Sequence, residues 1–244
     1  MKALILAGGK GSRFLEETKV RPKPMIEINN KPILLHIIDQ YIWFGIKEFI
    51  ILGGHKIEYI YEYFEGQKLN DDHEYFYKNK DIKIKVLDTG IKTMTGGRIK
   101  RAEEYLGNIF LATYGDGISN INIQKLIQFH EKNKKQATVT AVRPPARFGS
   151  LTLEGNIVSN FGEKISAHAG WINGGFFVLS KEVLKYIDGD ETIFEKKPLE
   201  TLTSTSNLAA YKHTGFWYPI DTIREKEIVE ERINNNELSW LYDW

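Results

Sequence analysis

The sequence predicts an α/β fold in which a central mixed, mainly parallel sheet carries a ligand site at the carboxyl ends of its strands. Short apolar runs alternate along the chain with segments of helical periodicity, as such folds require. The first apolar run, Ala3 to Ala7, leads directly into the glycine-rich stretch Gly8 to Gly11. A later run, Ile109 to Thr113, leads to Asp116. Ligands of open α/β sheets lie outside the carboxyl ends of the strands, so both turns are expected at one mouth.

Composition limits the class of protein. The chain has 244 residues, 42% of them hydrophobic, which is enough to bury a core as one large domain. Its 33 Lys and Arg residues against 32 Asp and Glu residues give a net charge of +1, so no overall field favours nucleic acid or an acidic membrane. It has no apolar run long enough for a membrane helix and no secretory leader, so we expect a soluble protein. The absence of cysteine excludes disulfides and cysteine nucleophiles and is compatible with a cytoplasmic location, which we predict.

A parallel βαβ unit is predicted after the glycine-rich stretch. Apolar side chains recur every four residues between Lys31 and Phe44, which predicts a helix with Pro32 in its first turn and Gly45 at its end. The run Glu48 to Leu52 follows as a second buried strand. Strand, helix and strand in this order predict parallel pairing of the two strands.

The next part of the chain is less regular. Ile57 to Phe64 has helical spacing, whereas Gly66 to Asp81 is polar with little periodicity and is predicted to be a loop. Between Ile82 and Val86 apolar residues alternate with lysines, which predicts a half-exposed or edge strand. The glycine pair Gly96 and Gly97 then precedes a helix with apolar residues on one face.

The second half combines a hairpin with further strands and helices. Leu151 to Leu153 and Ile157 to Phe161 flank the turn residues Glu154 to Asn156, which predicts the hairpin. The tail from Leu238 to Trp244 is expected to dock on the domain or on another subunit. The other predicted elements are the helices Ile123 to Asn133, Lys181 to Ile187, Pro198 to Leu202 and Ile223 to Asn235, and the strands Ala137 to Val142, Phe176 to Leu179 and Leu208 to Tyr211.

The glycine-rich stretch and two cations near it indicate a phosphate-binding site. Glycines allow a ligand to approach main-chain N–H groups, and Arg13 and Lys23 supply positive charge. The dinucleotide fingerprint does not fit, because Phe14 stands where its third glycine is required. The P-loop does not fit either, because Lys10 is followed by Gly11 rather than by Ser or Thr. A tight turn with solvated cations is the alternative interpretation.

Polar residues at other strand ends have both functional and structural interpretations. Thr93 to Arg98 is either a polar ligand edge at a helix start or an ordinary loop and cap. Asp116 is either a ligand of a hard divalent cation such as Mg²⁺ or an ordinary turn residue. Asp221 is either part of a ligand site or a helix N-cap. Lys164 and Asn173 could bind a small phosphorylated substrate. In the alternative interpretation Lys164 is a surface lysine and Asn173 only precedes a strand.

The motifs in this order resemble the sugar-phosphate nucleotidyltransferase family, and within it the cytidylyl branch. The resemblance covers nearly the whole chain, and WINGGFF together with MTGGR points to the cytidylyl enzymes. The matching segments are LAGGxGxR at Leu6 to Arg13, PKPM at Pro22 to Met25, DTG with MTGGRIKR at Asp88 to Arg101, YGDG at Tyr114 to Gly117, RFG at Arg147 to Gly149, WINGGFFVL at Trp171 to Leu179, and GFW with DT at Gly215 to Thr222.

The resemblance implies a single Rossmann-like domain that joins a nucleoside triphosphate to a phosphorylated acceptor and releases pyrophosphate. It implies a nucleotide-binding half over about residues 1–143, a smaller β-rich acceptor-binding half over about 144–222, and a C-terminal helix and tail over 223–244. The expected nucleotide is CTP, the expected acceptor is α-D-glucose 1-phosphate for polysaccharide synthesis, and the expected cofactor is Mg²⁺. We also expect a homo-oligomer, and the near-zero net charge and the lack of a long apolar run lead us to expect that it binds neither nucleic acid nor membrane.

The resemblance further implies a role for each matching residue. The catalytic group would be Arg13, Lys23, Asp116 and Asp221, with Lys23 near the α-phosphate and the two aspartates holding the metal. The nucleotide would contact Leu6, Ala7, Gly8, Gly9, Gly11, Ser12, Arg13, Lys23 and Asp116, with Thr95, Gly96 and Arg98 at the cytosine end. The acceptor would contact Gly115, Lys164, Asn173 and Gly174.

Departures from the family pattern leave alternatives open. The usual EKP is Glu163, Lys164 and Ile165 here, the segment from Ala167 to Gly170 is unusual, and the chain is shorter than typical between Phe64 and Asp88. The same CTP chemistry on another sugar phosphate or on a non-sugar phosphorylated metabolite is therefore the alternative. A non-catalytic nucleotide-binding regulator is a weaker one, since all four proposed catalytic residues are present.

Overall fold

Strands and helices alternate through most of the chain. The computed structural model describes residues 1–12, 14–145, 150–162 and 170–242. The strands are β1 (Lys2–Leu6), β2 (Glu27–Ile28), β3 (Lys31–Pro32), β4 (Glu48–Gly53), β5 (Lys68–Asn70), β6 (Glu74–Tyr77), β7 (Asn79–Asp88), β8 (Ile109–Tyr114), β9 (Gly117–Ser119), β10 (Ala137–Val142), β11 (Ser150–Glu154), β12 (Ile157–Gly162), β13 (Ile172–Ser180), β14 (Leu208–Lys212) and β15 (Trp217–Pro219). The helices are α1 (Leu15–Thr18), α2 (Ile33–Trp43), α3 (Glu58–Phe64), α4 (Thr95–Arg101), α5 (Ile123–Asn133), α6 (Lys197–Ser204) and α7 (Ile223–Asn234), with 3-10 turns that include Lys23–Met25, Lys181–Tyr186 and Ser239–Tyr242.

A nine-stranded sheet forms the centre of the molecule, in the order β14-β10-β13-β8-β1-β4-β7-β6-β5. The central strands β8, β1, β4 and β7 are parallel to their neighbours in that group. β13 runs antiparallel to β8 and β10, and β6 runs antiparallel to β5 and β7. This mixed sheet confirms the predicted α/β fold, and parallel pairing of β1 with β4 across α2 confirms the βαβ unit. The division into a nucleotide half and an acceptor half stays a prediction.

Two apolar clusters pack on the two faces of the sheet. Along β1, Ala3 and Ile5 belong to the cluster that includes α2 and α7, whereas Leu4 belongs to the cluster that includes α4. Successive side chains of a strand point to opposite faces, so a strand covered on both faces is apolar throughout. Packing on both faces of the sheet holds the strands in place, and the cleft described below lies at the ends of these strands.

The prediction for residues 66–81 was wrong. This segment forms β5, β6 and the start of β7, and Tyr75 and Tyr77 of β6 are buried while the residues between and before them are not. The strand around Ile82 to Val86 is half exposed as predicted but is not at an edge, because β7 lies between β4 and β6. Short polar strands depend on pairing with a neighbour, which local periodicity does not reveal.

The elements of the second half lie close to their predicted positions. α5 and β10 have the predicted bounds, and β11 and β12 pair as the predicted antiparallel hairpin. Leu238 and Leu241 are buried in the apolar core, so the tail docks on its own domain as far as Tyr242. Among the described residues, no helix is long and apolar enough to cross a membrane.

The N-cap of α7 is Thr222 rather than Asp221. Thr222 has extended backbone angles, and its side chain accepts a hydrogen bond from the Glu225 N–H at 3.3 Å. The Glu225 carboxylate in turn accepts from the Asp221 N–H at 2.8 Å. The carboxylate of Asp221 is therefore not the group that caps the helix.

Thr222→Ala should lower the free energy of unfolding by about 1 kcal/mol, because it removes the N-cap oxygen. In a chain of this size that corresponds to a drop of about 2–4 °C in Tm, measured by thermal denaturation. Thr222→Ser keeps the oxygen and should retain the wild-type Tm. A Thr222→Ala protein with unchanged Tm would contradict the assignment of the cap.

Candidate active site

A cleft of about 590 Å³ opens at the carboxyl ends of β1 and β8. It brings together the glycine-rich stretch, the start of α4 and both candidate metal ligands. Its lining residues are Leu6, Ala7, Gly8, Gly9, Lys10, Gly11, Ser12, Phe14, Lys23, Pro24, Ile91, Lys92, Thr93, Met94, Thr95, Arg98, Tyr114, Gly115, Asp116 and Asp221.

The glycine-rich stretch is anchored by its own neighbours. Gly11 has a φ of 62°, in the left-handed region that favours glycine, and a Cβ there would lie 2.7 Å from the Thr18 side chain. The hydroxyl of Thr18 donates to the carbonyls of Phe14 at 2.9 Å and Gly11 at 3.2 Å. Gly9 has open space on its side-chain face. A ligand can therefore approach the backbone closely at this turn. Arg13 lies outside the described residues, and its proposed role stays a prediction.

Arg98 ties this stretch to the end of β4. Its guanidinium donates to the Gly53 carbonyl at 2.8 Å, to the Thr89 hydroxyl at 2.5 Å and to the Gly8 carbonyl at 2.9 Å. A Cβ on Gly8 would overlap this guanidinium. Burial lowers the pKa of Arg98 from its usual value, although the group remains a cation. The guanidinium thus positions the backbone of Gly8 and Gly53, and its proposed contact with cytosine stays a prediction.

The start of α4 is held by the segment from residue 190 to 195. The Gly96 N–H donates to the Thr192 carbonyl at 2.9 Å, and Gly96 is not part of the cleft lining. The Thr95 hydroxyl donates to Glu195 at 2.6 Å. The groups proposed to meet the base therefore already have protein partners, and of them Thr95 and Arg98 border the cleft.

Lys23 lies between the two candidate metal ligands. Its Nζ is 2.6 Å from Asp116 Oδ2 and 2.5 Å from Asp221 Oδ1. Lys23 begins a 3-10 turn directly after Pro22, which fixes the backbone φ at the entry to the turn. Side-chain exposure is 9% for Lys23, 12% for Asp221 and 35% for Asp116, so Asp116 is the more open carboxylate.

Strand pairing brings the two aspartates together across the sequence. β9 directly follows Asp116 and pairs with β15, which precedes Asp221, in the register Gly117 to Pro219. The Ile220 N–H donates to the Asp116 carbonyl at 2.9 Å. The two carboxylates therefore converge on one point from separate parts of the chain.

The donors at this point suit a divalent cation that also binds phosphates. Both ligands are carboxylate oxygens, which hard cations prefer, and the Lys23 ammonium shows that a positive group fits between them. Within the described ranges no group of three or more His, Cys, Asp or Glu residues could hold a metal by itself. Mg²⁺ is commonly held by one or two carboxylates together with substrate phosphates and water.

Two of the proposed acceptor residues adjoin Tyr114, Gly115 in the sequence and Asn173 through a hydrogen bond. The Gly115 N–H donates to the Leu6 carbonyl at 3.0 Å, and a Cβ at Gly115 would meet that carbonyl at 2.9 Å. Asn173 donates to the Tyr114 hydroxyl at 3.1 Å, and the Gly174 carbonyl accepts from the Trp217 indole at 2.8 Å. Gly115 borders the cleft, whereas Asn173 and Gly174 are not in its lining. Lys164 lies outside the described residues.

Several residues that line this cleft or bind its lining residues were not identified from the sequence. Tyr114 directly precedes Gly115 and Asp116, so its place at the end of β8 was the signal that could have identified it. Lys10 and Lys92 line the cleft as further cations, and Lys10 belongs to the glycine-rich stretch itself. Glu195 carries no recognisable motif, and it lies 81 residues from Tyr114 in the sequence.

Comparison with known proteins identifies the family. A family profile described as nucleotidyl transferase matches residues 2–225. The chain belongs to the nucleotidyl transferase family. This nucleotidyltransferase is 44% identical over 253 residues to the glucose-1-phosphate cytidylyltransferases of Salmonella typhi and Salmonella typhimurium, covering 98% of this chain and 98% of each relative. The predicted resemblance is therefore confirmed.

A solved structure supports the fold of the nucleotidyltransferase. UDP-glucose pyrophosphorylase in complex with UDP-glucose superposes with a TM-score of 0.70, at 17% identity, over 96% of this chain and 98% of that chain. At this identity the likeness shows the fold alone. It agrees with the Rossmann-like architecture expected from the motifs.

Arg98→Lys should destabilise the nucleotidyltransferase by about 3 kcal/mol, because the compact ammonium of lysine cannot span the three separate acceptors that the planar guanidinium reaches in this buried position. The expected drop in Tm is about 6–12 °C, measured by thermal denaturation. Arg101→Lys is the matched control on the same helix, since Arg101 is 46% exposed and pairs with Asp190 at the surface. Equal Tm values for the two variants would contradict the anchoring role of Arg98.

Proposed function

We propose that this nucleotidyltransferase transfers the cytidylyl group of CTP to α-D-glucose 1-phosphate and releases pyrophosphate. The convergence of Lys23, Asp116 and Asp221 beside the glycine-rich stretch is the observation that carries this proposal. The choice of nucleotide and acceptor is supported by the names of the two Salmonella relatives and by the MTGGR and WINGGFF motifs.

The reaction needs alignment and charge neutralisation more than a protein nucleophile. An oxygen of the acceptor phosphate forms a new bond to the α-phosphorus, while the bond from that phosphorus to the departing pyrophosphate breaks. The acceptor phosphate is already ionised at neutral pH, so no general base is required. Holding two polyanions in line in a cleft supplies most of the rate enhancement.

Residues of this chain have distinct parts in that alignment. Backbone N–H groups of the stretch Gly8 to Ser12 would bind the triphosphate. Lys23 would meet the α-phosphate: an ammonium has three N–H donors, so with two directed to the carboxylates a third can reach a phosphate oxygen. Arg13 would add a second cation on the same side.

Asp116 and Asp221 would hold Mg²⁺. When bound, the ion neutralises charge on the phosphates and stabilises the charge that develops during in-line displacement. The remaining ligands would come from phosphate oxygens and water, because the protein offers two carboxylates at this point.

We further propose that the enzyme is a cytoplasmic homo-oligomer. Large side chains are exposed on adjacent elements, including Trp43 at the end of α2, which is 58% exposed, and Tyr63 on α3, which is 43% exposed. Exposed aromatic groups of this size are typical of surfaces that contact another protein.

The proposed specificity can be tested by pyrophosphate release. The purified protein is given each of the four ribonucleoside triphosphates and dTTP in turn, with a panel of sugar phosphates and non-sugar phosphorylated metabolites. We expect release with CTP and glucose 1-phosphate together and only background release with either alone. Release with UTP or dTTP instead of CTP would contradict the proposed nucleotide, and release with CTP and a different phosphate would identify another acceptor.

Asp116→Ala should lower turnover by about 100-fold or more, because one of the two metal-holding carboxylates is lost. The Tm should change little, since Lys23 keeps its contact with Asp221 at 2.5 Å. Steady-state rates and thermal denaturation separate the two effects. Asp188→Ala is the control, because Asp188 is a surface aspartate that is 68% exposed and pairs with Lys197. Near-normal turnover of Asp116→Ala with Mg²⁺ would contradict the assignment.

A further inference from the structure

A chain of hydrogen bonds connects the start of α4 to the proposed acceptor residue Asn173. Glu195 Oε2 accepts from the Thr95 hydroxyl at 2.6 Å, and Glu195 Oε1 accepts from the Tyr114 hydroxyl. The Tyr114 hydroxyl accepts from Asn173 Nδ2 at 3.1 Å. Thr95 and Tyr114 both line the cleft, so Glu195 joins two of its walls from behind.

The direction of each hydrogen bond in this chain is fixed by its ends. The Gly175 N–H can only donate, and it lies 2.8 Å from Asn173 Oδ1, so the amide nitrogen of Asn173 must face Tyr114. The Tyr114 hydroxyl therefore accepts from Asn173 and has its proton left for Glu195. At the other end the Phe194 N–H donates to the Thr95 hydroxyl at 2.9 Å, which leaves the Thr95 proton for Glu195 as well.

The two hydroxyl protons are therefore directed to one carboxylate, one to each of its oxygens. The Tyr114 ring is also held by packing, edge-on against Phe177 at 5.9 Å, and a Cβ at Gly175 would overlap it.

We propose that Glu195 is a positioning residue that couples nucleotide binding to acceptor binding through Thr95 and Tyr114. A nucleotide that orders the wall at Thr95 also orders Tyr114 and Asn173, so the acceptor meets a wall that is already in place. This inference rests on the proposed function, because it assumes that the nucleotide lies on the Thr95 side and the acceptor on the Asn173 side.

The coupling can be measured with the substrate pair that the wild-type enzyme turns over, whichever pair that is. The nucleotide is supplied as its analogue with a methylene group between the α- and β-phosphorus, which cannot release pyrophosphate. Calorimetry gives the Kd of the analogue with and without saturating acceptor. The ratio of the two values is the coupling factor, and for the wild-type enzyme we expect it to be about 5 or more.

Glu195→Gln keeps the shape of the side chain but replaces one carboxylate oxygen by an NH₂ group. The NH₂ group then faces the Thr95 or the Tyr114 hydroxyl, whose proton loses its acceptor. We expect its coupling factor to fall to about 1 and its kcat/KM to fall about 10-fold or more. Tyr114→Phe keeps the ring packing and should lose the coupling in the same way, and it serves as the test if Glu195→Gln does not fold. Thr95→Ser keeps both hydrogen bonds and should retain the coupling, whereas Thr95→Val should lose it.

Glu182→Gln is the matched control, because Glu182 is exposed and accepts a hydrogen bond from Gln136 outside the cleft. It should have the wild-type coupling factor. If Glu195 has only a structural role, Glu195→Gln will weaken binding of the analogue equally with and without acceptor, and the coupling factor will stay at the wild-type value. That result would overturn the proposal, and so would a coupling factor of 1 for the wild-type enzyme. Coupling with a pair other than CTP and glucose 1-phosphate would overturn the proposed function alone, and a protein that turns over no pair would overturn both.

Discussion

The shared contact of Lys23 with Asp116 and Asp221 is the interaction on which the rest of the site depends. Two carboxylates held at one point repel each other, and the ammonium between them makes their approach favourable before any ligand binds. Asp116 and Asp221 are 93 and 198 positions from Lys23 in the sequence. Only the completed sheet, with β9 paired to β15, brings them together. The site is therefore a product of the whole fold and not of one local motif.

Side chains behind the cleft stabilise the turns at its opening, which follow the ends of the strands. Past the strand ends a few backbone hydrogen bonds remain, such as those that the His55 and Gly115 N–H groups donate, so the turns need further hydrogen bonds from side chains. Arg98 fills that need beside the glycine-rich stretch by binding the carbonyls of Gly8 and Gly53. Glu195 fills it on the other side by binding Thr95 and Tyr114. Buried, charged hydrogen-bonding groups are well suited to this task, because leaving their partners unpaired is costly.

Sequence reasoning succeeded where local chemistry decides the structure and failed where pairing or packing decides it. The bounds of α5 and β10 follow from continuous periodicity, and the place of Asp116 follows from the rule that ligands lie at strand ends. β5 and β6 were missed because such short strands exist through pairing, β5 with β6 and β6 with β7. The direction of Arg98 could not be predicted either. A guanidinium after a glycine pair can face a ligand or turn back to the backbone, and only the packing around Gly8 and Gly54 decides between them.

The polarity of the network behind the cleft bears on acceptor specificity. Asn173 has its amide oxygen committed to the Gly175 N–H, and its nitrogen to Tyr114, whose own proton is committed to Glu195. The face of Asn173 that we propose to meet the acceptor is therefore set by Gly175, Tyr114 and Glu195. A change of acceptor made by substitutions near Asn173 alone would have to keep this polarity. Because of that constraint, the specificity of the acceptor side is expected to change together with Tyr114 and Glu195 rather than one residue at a time.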